Sequence, residues 1–143
     1  MSARASQPPT RRAPVPAGHL LAIAIGAAAG GYLRVGLSLS SFTGSAASWP
    51  WVTFSVNLAG TFVLACTVAF LHARGRSASV YRPLIGVGFC GALTTFSTLQ
   101  LEVFRMLRAD HWLLACGYAG ASVLAGLAVA FAGLALGSRS RSA

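Results

Sequence analysis

Long apolar runs separated by short polar connections dominate the sequence. The runs cover about residues 18–37, 51–73, 83–108 and 112–136. Each run is close to the roughly 20 residues that an α-helix needs to cross about 30 Å of hydrocarbon. The pattern therefore predicts an all-α membrane protein whose four transmembrane helices form one domain, residues 18–137.

Basic, polar segments flank this predicted domain at both ends. Residues 1–17 hold Arg4, Arg11, Arg12 and several prolines, so we expect a disordered basic tail. Residues 138–143 form a second basic tail. The arginines ahead of the first apolar run and the small residues within it are also typical of a cleaved signal peptide, which is an alternative for this segment.

The composition excludes an ordinary soluble domain. Only 9% of the residues are charged and 55% are hydrophobic, whereas about 25% of the residues of a soluble domain are charged. The basic residues are all arginines, and the formal net charge is +9. Such a charge is also typical of nucleic-acid binding. These arginines lie at the edges of the apolar runs, however, so we interpret them as contacts with an anionic membrane surface.

The arginines also predict an orientation. Four spans place both termini and the loop between the second and third runs on one side of the membrane. That side carries eight of the arginines and the other side carries three, so the positive-inside rule predicts cytoplasmic termini. The eight are Arg4, Arg11, Arg12, Arg74, Arg76, Arg82, Arg139 and Arg141.

Neither an enzyme nor a metal-binding side-chain cluster is indicated. The histidines lie near helix ends and form no nucleophile–base pair, so we expect no enzymatic activity. Cys66, Cys90 and Cys116 lie inside apolar runs without the spacing of metal ligands. We expect them to be small packing residues that form no disulfide framework.

Asn57 is the most polar side chain near the middle of the second run. Its amide offers two N–H donors, and at bilayer depth these need a partner. That partner is either another helix or a polar ligand, and the residue alone favours the first.

Glycines and hydroxyl residues crowd the middle of the third run. A glycine costs a helix about 1 kcal/mol relative to alanine, and irregular backbone is tolerated in a membrane where protein or a cavity surrounds it. We therefore expect this helix to break at mid-membrane, exposing carbonyls that suit a cation and N–H groups that suit an anion. The alternative is an intact helix whose hydroxyls bond back to the preceding turn. The residues concerned are Gly86, Gly88, Gly91, Thr94, Thr95, Ser97 and Thr98.

In the fourth run Tyr118, Ser122 and Gly126 are spaced four apart and share a helix face. The two hydroxyl groups form either a polar track or ordinary packing contacts, and the spacing alone favours packing.

Three segments together resemble the CrcB or Fluc family of small fluoride channels, and the similarity extends over about residues 26–137. It makes the first run a mature helix instead of a signal peptide. The segments are GGYLR from Gly30, TFSVNLAGTF from Thr53 and GFCGALTTFST from Gly88.

The resemblance implies a function and an assembly. It implies a fluoride-selective channel that lowers cytoplasmic fluoride by passive efflux, in the plasma membrane of a bacterium. The subunits would form an antiparallel, dual-topology dimer with two fluoride pores and a buried structural sodium ion.

The resemblance also implies site residues. The carbonyl oxygens of Gly91 and Thr94 would hold the sodium ion, and Arg34 and Glu102 would have vestibule or structural roles. The fluoride pathway would be lined by Asn57, Phe96, Ser97, Thr98, Leu99, Tyr118 and Ser122.

Two positions depart from the family pattern. Leu99 stands where a second pore phenylalanine is usual, and Gly126 stands where a further serine is common. A dual-topology homodimer also needs balanced arginines, and here the counts are eight and three. These features suggest the hypothesis that the chain pairs with a different homologue of opposite orientation. A homodimer is the alternative.

Two further functions compete with this interpretation. A small multidrug exporter has a similar size and helix number, but it needs a carboxylate in its first helix, and no acidic residue precedes Glu102. A non-conducting or weaker partner subunit of a heterodimeric channel is the second, and Leu99 is consistent with it.

Overall fold

The structure, a computed structural model, describes residues 15–39, 47–76 and 79–139. Most of the predicted basic tails, residues 1–14 and 140–143, lies outside the described residues.

Within these described residues, four helical spans are long and apolar enough to cross a membrane. They are α1 (Ala17–Leu39), α2 (Trp51–Ala73), the interrupted third span (Arg82–Arg108) and α5 (Trp112–Arg139). At 1.5 Å per residue, even the spans of 23 residues reach about 34 Å. The prediction of an all-α protein with four transmembrane helices is confirmed.

The third span consists of two helical parts. Its first part, α3, is a π-helical stretch, Arg82–Cys90, continued by one α-helical turn, Gly91–Leu93. Thr94 and Thr95 then adopt extended backbone conformations, with ψ angles of 151° and 120°. The second part, α4, covers Phe96–Arg108. The helical conformation is therefore interrupted inside the third span, while the position of this interruption at the middle of a bilayer stays a prediction.

The last helix extends beyond its predicted end. The apolar run in the sequence predicts that it ends at residue 136, just before Gly137. In the structure α5 continues to Arg139, and Gly137 lies against α2, where an added Cβ would come within 2.6 Å of the Cys66 carbonyl oxygen. The missing side chain of Gly137 therefore serves close helix packing instead of helix termination. Gly133 has the same role one turn earlier.

Glycines also bring α1 against α3. An added Cβ on Gly26 would overlap the carbonyl oxygen of Leu84, and one on Gly30 would overlap that of Phe89. From the other side, a Cβ on Gly88 would come within 2.6 Å of the Ile23 carbonyl oxygen. Such close backbone approach is how small residues pack helices in lipid.

A small buried cluster connects α4 and α5. Met106 is 2% exposed, Ala115 1% and Tyr118 0%. Trp49, two residues before α2, and Phe54, in its first turn, pack against them. The Trp49 ring meets the Tyr118 ring edge-on, with 5.3 Å between the ring centroids. This cluster holds the part of α5 that carries Tyr118 beside the interrupted span.

A candidate ion pathway beside the break in the third span

The break is held by a reciprocal pair of hydrogen bonds between α2 and the third span. The Thr95 backbone N–H donates to Asn57 Oδ1 at 2.8 Å, and Asn57 Nδ2 donates to the Thr95 carbonyl oxygen at 3.1 Å. One amide side chain thus satisfies both polar groups of an extended residue that has left the helix. Asn57 forms an interhelical contact here, as its position in the sequence favours.

Thr95 also caps the helix that follows the break. Its Oγ1 accepts a hydrogen bond from the Thr98 backbone N–H at 3.2 Å. The same oxygen lies 3.0 Å from Thr98 Oγ1 and 3.2 Å from Ser97 Oγ. Threonine at an N-cap position satisfies an N–H group that has no partner inside the helix, so α4 begins in an ordered way directly after the break.

The backbone N–H groups of Thr95 and Thr98 bond to side-chain oxygens here. The two carbonyl oxygens to which they would donate in an uninterrupted helix therefore lose those donors. In an uninterrupted α-helix the Thr95 N–H would donate to Gly91, and the Thr98 N–H would donate to Thr94, because each bond spans four residues. Here Asn57 and the Thr95 side chain take those N–H groups. Gly91 is exposed and Thr94 half-buried. Gly91 and Thr94 are thus among the residues at the break whose carbonyls lose their helical donors.

The two helix ends at the break also differ in electrostatic character. The last carbonyls of α3 carry partial negative charge, and the first N–H groups of α4 carry partial positive charge. The two helix ends at the break therefore carry partial charges of opposite sign. The Thr94 hydroxyl donates to the Cys90 carbonyl at 2.9 Å, so hydroxyl bonding to the preceding turn and a helix break occur together here.

An open groove of about 580 Å³ lies between α2, α4 and α5. Its polar members are Asn57, Gln100 and Ser122, and most of the rest of its lining is apolar. The ring of Phe96 borders it and is 72% exposed, so the groove opens toward the surroundings of the chain. A groove of this kind, with a few polar groups in an apolar wall, is typical of a small-ligand pathway.

Glu102 joins three elements through its carboxylate. Thr53 Oγ1 of α2 donates to Glu102 Oε1 at 2.6 Å, and the Tyr118 hydroxyl of α5 donates to Glu102 Oε2 at 2.7 Å. An acidic side chain in an apolar span needs such partners. The carboxylate therefore links α2, α4 and α5 through hydrogen bonds, while the vestibule or structural role of Glu102 stays a prediction.

The predicted pathway residues fall into three groups. Asn57, Phe96, Leu99 and Ser122 line the groove. Ser97 and Thr98 lie at the N-terminal end of α4, in the Thr95 cap. Tyr118 is buried, and its hydroxyl group donates to Glu102. It is not one of the residues that line the groove.

Two more placements qualify these roles. Ser122 lines the groove, but its hydroxyl donates to the Tyr118 carbonyl at 2.7 Å, so its oxygen is available mainly as an acceptor. Arg34 is half-buried in α1, five residues before that helix ends at Leu39. It is not among the residues that line the groove.

Sequence reasoning placed Thr95 at the expected break without giving it a role, and it missed Gln100 and Thr53. Thr95 makes the bonds that hold the break, Gln100 lines the groove, and Thr53 binds Glu102. The N-cap preference of threonine is a signal that identifies Thr95. No local pattern identifies Thr53 or Gln100, because their roles depend on how the helices are rotated against each other.

Comparison with known proteins identifies the family. A family model described as "CrcB-like protein, Camphor Resistance (CrcB)" matches residues 21–134. A protein of Mycolicibacterium paratuberculosis named "Fluoride-specific ion channel FluC 1" is 47% identical over 109 residues, which are 76% of this chain and 82% of that protein. A "Fluoride-specific ion channel FluC" of Chloroflexus aurantiacus is 36% identical over 119 residues, 83% of this chain and 94% of that protein. The chain therefore belongs to the CrcB family.

Proposed function

We propose that the chain is a subunit of a fluoride-selective channel that lowers cytoplasmic fluoride by passive efflux. The similar proteins named above are called fluoride-specific ion channels. The observation in this chain that carries the proposal is the Asn57–Thr95 pair, which opens the third span directly beside a groove bordered by Phe96. As a member of an ion-channel family the chain is not an enzyme, so that expectation is confirmed.

The groove contains chemical groups that can replace the water molecules around a fluoride ion. The edge of the exposed Phe96 ring carries partial positive charge and suits an anion. The Asn57 and Gln100 amides and the first N–H groups of α4 add donors along the same wall. Rigid donors of this kind compensate an ion for its lost hydration, as in other selectivity filters. The Asn57–Thr95 bonds keep this wall rigid.

A sodium ion fits the cation-favouring end of the break. The carbonyl oxygens of Gly91 and Thr94 lack their helical donors, and hard oxygen ligands suit a hard cation. Among the described residues no cluster of acidic, histidine and cysteine side chains competes for a metal. Bound there, sodium would supply positive charge that compensates the carbonyls at the end of α3, and it is not itself transported.

The open groove calls for a second subunit. Left against lipid, the polar groups of Asn57, Gln100 and Ser122 would lack partners, which is costly in hydrocarbon. An antiparallel dimer would cover the groove with protein and complete the pathway. The excess of arginine on the side of the termini favours a fixed orientation with cytoplasmic termini. Together with Leu99 in the groove, this favours a partner that is a homologue of opposite orientation.

No coupling group is needed for fluoride to leave a cell. A negative-inside potential contributes about 2.3 kcal/mol per charge per 100 mV to the exit of an anion.

The names of the similar proteins do not favour a multidrug exporter or a non-conducting subunit.

Substitution of Phe96 tests the proposal in liposomes that contain the purified protein. We expect Phe96→Ile to reduce fluoride efflux at least tenfold, because isoleucine lacks the polarised ring edge. Phe104→Ile is the matched control, since Phe104 borders the same groove and is 56% exposed, one helix turn beyond Gln100. Equal fluoride efflux by the wild type and Phe96→Ile would refute the role of this ring.

A further inference from the structure

A second cleft, of about 480 Å³, lies where α2 and α5 end and α3 begins. It is mostly apolar, and its two most polar members, Arg76 and Tyr81, are both exposed at its edge. It has no residue in common with the groove beside the break. Its apolar wall includes Phe70, Leu71, Ile85 and Leu136.

The turn after α2 carries Arg76 to this cleft. Gly75 adopts a left-handed conformation with φ of 65°, which favours glycine. The Arg76 N–H then donates back to the Leu71 carbonyl oxygen at 2.8 Å. This bond is the helix-closing bond of a Schellman motif, so the turn folds over the end of α2 in a defined way.

Two arginines, Arg76 and Arg74, lie at the cleft, and none of the residues that line it is acidic. Arg74 lies on the Phe70 ring, with its guanidinium carbon 4.2 Å from the ring centroid. The whole chain has only two acidic residues. Glu102 binds Thr53 and Tyr118, and Asp110 lies in the turn between α4 and α5. Gly133 lies against Phe62 and Gly137 against Cys66, so α2 and α5 run in the same direction. The cleft lies where these two helices end, and the turn that carries Asp110 lies where α5 begins. That turn is therefore at the opposite end of the bundle.

We propose that this cleft binds one anionic phospholipid. Its acyl chain lies along the apolar wall, and its phosphate is held by the Arg76 guanidinium and the Tyr81 hydroxyl. A soluble anion would leave the apolar wall unused, and a zwitterionic lipid would bring no net charge to the arginines. One guanidinium group can donate two parallel hydrogen bonds to two oxygens of a phosphate. Each basic residue near an anionic membrane surface also strengthens the binding of the protein to that surface. The bound lipid would connect the α2–α3 turn to the end of α5.

Native mass spectrometry of the intact protein in neutral detergent tests this inference without any measurement of fluoride transport. Dioleoyl-phosphatidylglycerol and dioleoyl-phosphatidylcholine are added at equal concentrations. We expect one phosphatidylglycerol per chain to stay bound at concentrations where phosphatidylcholine does not. Arg76→Gln should weaken phosphatidylglycerol binding about fivefold, the effect of one basic residue near an anionic surface. The matched control is Arg108→Gln, since Arg108 is also exposed and lies over the Phe104 ring at the opposite end.

A second pair of variants tests the apolar wall. Leu136 is 54% exposed, so Leu136→Trp fills the cleft without forcing the fold apart. We expect it to weaken phosphatidylglycerol binding, while Leu124→Trp, at a position of α5 outside the cleft, leaves binding unchanged. Equal retention of both lipids, equal losses in Arg76→Gln and Arg108→Gln, or undiminished binding by Leu136→Trp would each overturn the proposal. So would lipid retained on monomers but excluded from dimers, because a second copy would then occupy the cleft.

Discussion

Asn57 is the residue on which the break in the third span depends. Its amide accepts from the Thr95 N–H, which would otherwise donate to Gly91 in an intact helix, and it also donates to the Thr95 carbonyl. Sequence reasoning could identify Asn57 as important because an amide near the middle of an apolar run needs a partner. It could not identify Thr95 as that partner, since the two are 38 residues apart and meet only through the packing of the helices.

Removing the Asn57 amide should destabilise the protein markedly. Asn57→Leu keeps the approximate size of the side chain but removes both hydrogen bonds that Asn57 makes with the Thr95 backbone. We expect the free energy of unfolding to fall by about 2 kcal/mol, the effect of two lost hydrogen bonds to polar backbone groups. Denaturant unfolding in micelles, followed by circular dichroism, measures this change.

Gln100→Leu is the control for that experiment. Gln100 lines the same groove but is exposed, and we expect its replacement to change the free energy of unfolding by less than about 0.5 kcal/mol. Equal stability of Asn57→Leu and Gln100→Leu would show that the break does not depend on Asn57.

The helices are the elements that the sequence predicts best. Four apolar runs with polar connections define them, and the observed ends lie within a few residues of the predicted ones. The errors have a physical cause. The last apolar run ends at Leu136, but α5 continues to Arg139, and Gly137 packs against α2. The apolar pattern shows which part of a helix can lie in hydrocarbon, and helical hydrogen bonding can continue into the polar residues beyond it.

Packing glycines in α1 should tolerate no side chain. A Cβ on Gly30 would overlap the Phe89 carbonyl oxygen, so Gly30→Ala must push α1 and α3 apart. We expect a loss of several degrees in the melting temperature, corresponding to about 1–3 kcal/mol, the cost of overpacking a tight contact. Thermal unfolding of the purified protein provides the measurement.

The neighbouring residue is the matched control. Nothing lies within 4 Å of a Cβ added to Gly31, so Gly31→Ala gains helix propensity without a clash and should stabilise the protein by up to about 1 kcal/mol. The account of α1–α3 packing fails if the two substitutions change the melting temperature in the same direction.

At the scale of the whole molecule, the single chain leaves a groove uncovered and some carbonyl oxygens without their helical hydrogen-bond donors. The groove beside Phe96 is open, and the Gly91 and Thr94 carbonyls lack their helical donors. A second subunit and a sodium ion would satisfy both. The residues alone predict a break whose carbonyls suit a cation. The sodium ion and the antiparallel partner are implied only by the family resemblance, because an open groove is not visible in residue spacing.

The sodium proposal predicts an ion-specific stabilisation. A ligand that binds only the folded protein stabilises it by about 2.7 kcal/mol at a concentration one hundred times its Kd. We therefore expect the melting temperature to rise with sodium concentration and then to level off. Choline chloride at the same ionic strength should give no such rise. Identical melting curves in the two salts would argue against the site.

The most direct test of the central claim is ion efflux from liposomes that contain the purified protein, followed with fluoride and chloride electrodes in sodium-containing buffer. Reconstitution of the chain alone, and together with an oppositely oriented homologue, also distinguishes a homodimer from a heterodimer. The account predicts rapid fluoride release without chloride release in at least one of these preparations. Absence of fluoride release from both, or equal release of chloride, would contradict the assignment of this chain as a fluoride channel subunit.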